Sequence, residues 1–305
     1  MLLYSGLNLA ADLHMHSRYS PDGEIEVREV IKSCKNAGLS VVSLTDHNLV
    51  KGTAEALEIG RNYSLRVLPG IEIDCNYGGT DLHLLGYNIN WESPDFTELE
   101  DHISRKVMDS FASMLDNLAR YGIEANAGEI LNKAEGRLPT SELIAEVLLN
   151  NPEYDRNPLL LPYRKGGERG DMPYINFYLD FFAQGKPAYV KIDYMDYREA
   201  IALIKKNNGV PVVAHPGQNL RGREALVEDL LDHGAEGLET FNNYHDNDQI
   251  AYFAHVAMKR KVLMTCGSDF HGKTKPLIKP GIFRTIKEFE RYVAESIDRL
   301  RLRSA

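Results

Sequence analysis

The sequence predicts an α/β protein, a βα barrel interrupted by a mainly helical insertion. Three observations carry this. Short apolar strand patterns alternate with amphipathic helix patterns over the first stretch of the chain; a long helical run then breaks the rhythm; the alternation resumes near Tyr189 and continues to the end. A chain of 305 residues is long enough for one large domain carrying such an insertion. The expected division is a barrel over 1–92 and 185–305, with an insertion, or substrate cap, over 93–184.

In chain order, 7–14 reads as a strand. The segment 26–37 is a helix with Val27, Val30, Ile31 and Cys34 on one face, stopped by Gly38. Next come a strand at 41–44, a helix at 53–61 and a strand at 66–73. Tyr77-Gly78-Gly79-Thr80 reads as a turn into a strand at 82–89. The insertion opens with a helix at 97–121, where Ile103, Val107, Phe111, Met114 and Leu118 recur every three or four residues and Gly122 ends the run. Helices at 127–134 and 141–149 follow. The stretch 150–171, rich in Pro, Gly and charge, reads equally as a lid or a long connection, and a short helix is expected at 174–183. Asp196 and Glu199 resemble a capping box at the start of a helix ending at Gly209. The remaining pattern is a strand at 211–215, a helix at 224–231, a strand at 237–241, a helix at 247–259, a strand at 262–266 and a helix at 287–300. The chain has no internal repeat and no low-complexity tract.

Composition excludes several function classes. The formal net charge is −9, which disfavours stable binding of duplex nucleic acid, since that needs a basic face. An anionic substrate stays possible because bound cations can supply positive charge locally. No apolar run approaches the roughly 18 residues of a membrane span, and the start lacks a signal-peptide pattern, so no membrane partner is expected. Cys34, Cys75 and Cys266 are far apart and form no CxxC pair. They read as buried core residues of a protein from the reducing cytoplasm.

The sharpest local signal is His14-Met15-His16. Residues two apart on a strand point to one side, which suits two imidazoles on one metal ion. Other candidate ligands also sit at or just after predicted strands: Asp22, His47, Glu72, His83, His215, Asp269 and His271. Barrel enzymes assemble their sites at the C-terminal ends of strands. Together these are six imidazoles and three carboxylates, enough for two or three divalent ions if one carboxylate bridges. Mixed nitrogen and oxygen donors suit Mn, Zn or Fe better than Mg or Ca. His102, His233 and His255 fall on predicted helices and read as ordinary surface or core residues.

The ordered motifs Asp12-Leu13-His14-Met15-His16-Ser17, Thr45-Asp46-His47-Asn48, Pro69-Gly70-Ile71-Glu72, Ala214-His215-Pro216-Gly217 and Gly267-Ser268-Asp269-Phe270-His271 resemble the PHP (polymerase and histidinol phosphatase) family. The resemblance spans nearly the whole chain. It implies a distorted seven-stranded (βα) barrel and a metal-dependent phosphoesterase, a cytoplasmic hydrolase using two or three divalent ions. By the same resemblance His14, His16, Glu72 and Asp269 bind a first ion. Glu72 bridges to a second, also held by His83 and His215, while Asp22, His47 and His271 bind a third. Some members carry His where this chain has Asp22. Length, insertion and Gly185-Lys186-Pro187-Ala188-Tyr189-Val190 are similar to the branch of 3′,5′-nucleoside bisphosphate phosphatases and 5′-3′ exoribonucleases. That branch grips phosphate with an Arg- and His-containing element, where this chain has Gly136-Arg137-Leu138-Pro139-Thr140-Ser141.

The expected reaction is hydrolysis of a phosphomonoester, of AMP or 3′,5′-bisphosphate type, by in-line attack of a metal-bridging hydroxide without a covalent protein intermediate. Asp22 and His245 are the candidate catalytic side chains, with His245 placed to protonate the leaving group or bind phosphate. Arg137, Arg221 and Arg223 are further candidates for gripping phosphate, since a guanidinium fork matches its oxygens. Asp12, on the strand face of His14 and His16, is a candidate for orienting an imidazole from behind. The alternatives are a histidinol phosphatase, a short-RNA 5′-3′ exonuclease acting on single strands, an amidohydrolase-like deaminase or amidase, and an inactive metal or nucleotide sensor.

Overall fold

The structure is a computed structural model and describes residues 9–303. Seven strands form a nearly closed, barrel-like sheet: β1 (Ala11–Asp12), β2 (Val41–Leu44), β3 (Arg66–Tyr77), β4 (Thr80–Tyr87), β6 (Val210–Val213), β7 (Gly237–Phe241) and β8 (Leu263–Cys266), in that spatial order. The two-residue strand β5 (Met195–Asp196) pairs beside β3. The gap between the end strands is bridged by Leu13 N–H on Cys266 O (3.0 Å), His16 N–H on Phe270 O (2.9 Å) and Asp269 N–H on His14 O (2.8 Å). The predicted first strand began at residue 7; 7 and 8 lie outside the described residues, and ladder pairing is confined to Ala11 and Asp12.

One strand distorts the barrel. β4 runs antiparallel to both β3 and β6, whereas the other neighbours along the path are parallel. The cause is local: Gly78 and Gly79 both take positive φ, 57° and 84°, which makes the two-residue turn of a tight hairpin. A hairpin needs no crossover helix. The turn also lengthens β3 beyond the expected 66–73 and moves β4 toward Thr80.

Helices α1 (Val27–Asn36) and α2 (Thr53–Tyr63) cover one side of the barrel. Their buried faces meet Met15, Val42, Leu44 and Val67 in one apolar cluster. Between β4 and β5 the chain forms α3 (Pro94–Arg120), α4 (Ala127–Ala134), α5 (Ser141–Asn150) and α6 (Pro173–Phe177). α6 continues as a π-helical turn over Tyr178–Phe182. These helices pack around their own cluster, centred on Leu118, Ile144, Leu148 and Phe177. α3 belongs to both bodies: Phe96, Leu99 and Ile103 join the barrel core, and Phe111, Met114 and Leu118 join the helical cluster.

The stretch 150–171 is a packed connection. It holds two single 3-10 turns, Pro152–Tyr154 and Leu161–Tyr163. Arg164 Nη1 donates to Leu149 O (2.7 Å), and Arg169 pairs with Asp180 (2.9 Å). The second half of the barrel adds α7 (Tyr197–Lys206), α8 (Pro216–Asn219), α9 (Leu226–Asp232), α10 (Asn247–Arg260) and α11 (Glu290–Arg303). Asp196 caps α7 through Arg198 N–H without the reciprocal Glu199 bond. The full capping box lies instead at Asp246 and Gln249, opening α10.

Close packing of β2 on β3 depends on Gly70, where an added Cβ would stand 2.2 Å from Ser43 Oγ and 3.0 Å from Leu44 O. Gly70→Ala is therefore expected to destabilise the fold by roughly 1–3 kcal/mol. A urea midpoint equal to that of the parent protein would contradict this packing.

Candidate metal centre

The nine predicted ligands come together at one end of the barrel. Leu13 and Met15 turn into separate apolar clusters, so the alternation of an extended chain sends His14 and His16 the other way. Both His Nε2 atoms reach the same acceptors: Glu72 Oε2 at 3.0 and 3.1 Å, and Asp269 Oδ1 at 3.4 and 3.3 Å. The other oxygen of Glu72 faces His83 Nδ1 (2.9 Å) and His215 Nε2 (3.0 Å). Asp22 Oδ2 lies 2.9 Å from His271 Nε2 and 3.7 Å from His47 Nε2. Reversal of β4 is what brings His83 here, because a strand running backwards starts at the end where its neighbours finish. His215 and Asp269 sit at φ of 21° and 58°, a left-handed backbone that non-glycine residues adopt at a cost.

Four of the six imidazoles share one arrangement. Nδ1 is held from outside and Nε2 is turned inward. The outer partners are Glu239 Oε1 for His14 (3.0 Å), Ser20 Oγ for His16 (3.1 Å), Asn219 Oδ1 for His215 (2.7 Å) and Asp269 O for His271 (2.9 Å); His47 Nδ1 lies 3.1 Å from Asp74 Oδ1 without hydrogen-bond geometry. Such partners fix ring orientation and leave the inner lone pair for a cation. Ser20 is economical, since its hydroxyl donates to Asp22 Oδ1 (2.7 Å) while facing His16.

The inner atoms pass a direct test of fit. His16 Nε2, Asp269 Oδ1 and His271 Nε2 are buried with no hydrogen-bond partner, although each lies within ion-pairing distance of its neighbours. Buried polar atoms that crowd together without hydrogen-bond geometry are what convergent metal donors look like. Donor atoms lie within 4.8 Å of one another in three groups: His14, His16, Glu72 and Asp269; His16, Asp22, His47 and His271; and His47, Glu72 and His83. No sulfur belongs to these groups; Cys34, Cys75 and Cys266 are buried, which raises their thiols.

The electrostatics divide the imidazoles. Burial, with His271 and His47 alongside, pushes His16 down to about 4, so it is neutral and offers a lone pair. Burial acts the same way on His14, but Glu72, Glu239 and Asp269 outweigh it and raise that ring well above its usual range. Burial disfavours charge on Glu72, yet His14, His47 and His83 hold its carboxyl well below the ordinary value. Asp269 is likewise depressed against the effect of burial, by Lys275, His271 and His14.

Other predicted site residues are placed differently. His245 is buried, accepts Gly217 N–H at Nε2 (3.0 Å) and faces Thr240 O through Nδ1 (3.0 Å). Both ring nitrogens serve the backbone and the ring does not line the cleft, so it is not positioned to protonate a leaving group or bind phosphate. Asp12 does not orient an imidazole; it accepts backbone N–H groups of Ser268 (2.9 Å) and Gly281 (2.7 Å). Glu239 does that work for His14 and also accepts His215 N–H at 2.7 Å. Arg223 donates to Thr80 Oγ1 (2.8 Å), and Arg137 is tied to Gly23 O (3.1 Å) and Ala134 O (3.3 Å). Neither of these, nor Arg221, lines the cleft over the cluster.

The sequence reading missed Asp74, Glu239 and Lys275. Asp74 was legible, since it stands two residues after Glu72 on one strand and so shares its face. Glu239 carried a weaker signal, a lone carboxylate inside an otherwise uncharged buried strand. The cleft itself is lined by Ile103 and Val107 of α3 and by Tyr178, Ile192 and Tyr194, together with acidic and imidazole side chains of the cluster.

A barrel with a convergent His and carboxylate cluster at its strand ends defines a hydrolase of the metal-dependent type. The PHP domain model matches residues 12–244, and the chain belongs to the PHP domain family. It is 27% identical over 266 residues to a phosphoribosyl 1,2-cyclic phosphate 1,2-diphosphodiesterase of Eggerthella lenta, covering 86% of this chain and 94% of that one. It is also 27% identical over 264 residues to a 3′,5′-nucleoside bisphosphate phosphatase of Chromobacterium violaceum, covering 85% and 86%. A 5′-3′ exoribonuclease of Haemophilus influenzae matches at 27% over 263 residues, covering 85% and 89%. Among solved structures, an amidohydrolase from Chromobacterium violaceum shares the fold with a TM-score of 0.77 at 23% identity, over 95% of this chain and 96% of that one.

Removing the shared outer partner tests the centre. Glu239→Ala strips His14 Nδ1 and His215 N–H of their acceptor, and is expected to weaken divalent-metal affinity about 10- to 100-fold. Competition against a chelator measures this; unchanged affinity would show that Glu239 does not support the cluster.

Proposed function

We propose that this protein, an enzyme of the metal-dependent phosphoric ester hydrolase class, releases phosphate from a phosphomonoester of nucleotide type, such as AMP or a 3′,5′-bisphosphate. The observation that carries this reading is the set of buried, unpartnered donor atoms aimed into one space and opening onto an apolar, aromatic-walled cleft. The names of the relatives, a phosphatase, a diphosphodiesterase and an exoribonuclease, support chemistry at phosphorus.

In this reading His14, His16, Glu72 and Asp269 would hold one ion, Glu72, His83 and His215 a second, and Asp22, His47 and His271 a third. Glu72 is suited to bridge because its two oxygens face different donor groups. The donor set of imidazoles and carboxylates favours Mn, Zn or Fe. Such ions supply a lowered water pKa and neutralise phosphate oxygens. Asp22 serves as a ligand. Residues 93–184 act as the substrate cap: Ile103, Val107 and Tyr178 exclude water above the reacting ester, and Tyr178 with Tyr194 offers aromatic faces to a planar base. Among the described residues no helix is long and apolar enough to cross a membrane.

The test is a screen of Mn-, Zn- and Fe-reconstituted protein against AMP, a 3′,5′-bisphosphate, a cyclic phosphate ester, histidinol phosphate and short single-stranded RNA. Phosphate release is expected, fastest with a nucleotide. No turnover of any of them by metal-loaded protein would overturn the reading. Joint replacement of His14 and His16 by Ala should remove at least one bound ion per chain and lower turnover by about 1,000-fold or more, several kcal/mol of lost electrostatic stabilisation; full retained activity would contradict the ligand set.

A further inference from the structure

The cleft raises a question of charge. A phosphate ester needs donors beyond the ions themselves, and none of the expected arginines faces it. Among the described residues lining the cleft, the one Lys or Arg is Lys275. It lies in the loop after β8, and only 5% of it is exposed. Its ammonium stands 2.5 Å from Asp269 Oδ2 and 5.4 Å from the centre of the Tyr244 ring. Tyr244 also donates to Asp269 Oδ2, at 2.8 Å. Oδ2 is therefore occupied from outside, and Oδ1 is left toward His14 and His16.

An ammonium has three N–H donors and no acceptor. One goes to Asp269, so the buried head has donors to spare on the cleft side. Burying a cation this deeply is costly unless its charge is used. We propose that Lys275 contacts the substrate, donating to a phosphoryl oxygen of the ester while its bond to Asp269 holds that carboxylate with a single oxygen inward. This assignment rests on the phosphoesterase reading above.

The test is titration of metal-loaded protein with inorganic phosphate by calorimetry, alongside metal content and the kcat and KM of a phosphomonoester. Lys275→Met is expected to keep its metal complement, bind phosphate about 10- to 100-fold more weakly and raise KM similarly. Lys275→Gln, which keeps a donor for Asp269 without the charge, should show the same loss if the Met variant does not fold. Arg221→Ala should bind phosphate like the parent protein. Parent-like phosphate affinity in Lys275→Gln would overturn the proposal. So would loss of metal together with phosphate, since Lys275 would then act only through Asp269. If metal-loaded parent protein neither binds phosphate nor releases it from any ester, the phosphoesterase reading falls as well, a result distinct from a defect confined to the variants.

Discussion

Everything at the barrel end is arranged around one buried carboxylate. Glu72 is fully enclosed, and an isolated charge there would be untenable in a low-dielectric interior. It is sustained because imidazoles approach both of its oxygens, from strands on opposite sides of the barrel. The outer partners follow from that demand. The rings of His14, His16 and His215 present Nε2 inward, and Glu239, Ser20 and Asn219 hold the other nitrogen from behind.

The same constraint explains where polarity is spent. The barrel interior below the cluster is apolar, with Leu68, Leu85 and Val212 on the same sheet face as Glu72, so carboxylates and imidazoles are admitted only where they satisfy one another. Backbone at His215 and Asp269 is bent into the left-handed region at the rim of this packed body. Strain of that kind persists when surroundings over-determine a conformation, and here Glu239 on one side and His14 O on the other clamp the two segments.

Much of the architecture was legible because the relevant signals are local. The strands 41–44 and 237–241 and the helix 127–134 end where their apolar patterns end. The candidate ligands stood out because each lies in a short motif at a strand terminus. What escaped the sequence depends on distant partners. Lys275 sits in a loop, and only the approach of Asp269 and Tyr244 gives it a purpose. His245 looked available because nothing in its neighbourhood announces that Gly217 and Thr240 will consume both nitrogens. The arginines failed for the same reason, as the reach of a long surface side chain is decided by tertiary placement. Gly78-Gly79 did announce a hairpin, but its effect on strand direction needed the whole sheet to become visible.

That reversed strand has a mechanical consequence. Because β4 runs down the barrel, the chain leaves it at Tyr87 on the floor, far from the cluster that the helical block must roof. α3 climbs the wall from there: about 14 Å at 1.5 Å per residue separate Pro94 from Ile103, which lines the cleft, and the rest of its 27 residues run on into the helical block. Its foot is bolted by Asp95 to Lys206 and Asn207, and its upper half carries the helical block. The roof and the barrel are thus joined by one continuous helix, rooted beyond the end of β4 and packed in both cores.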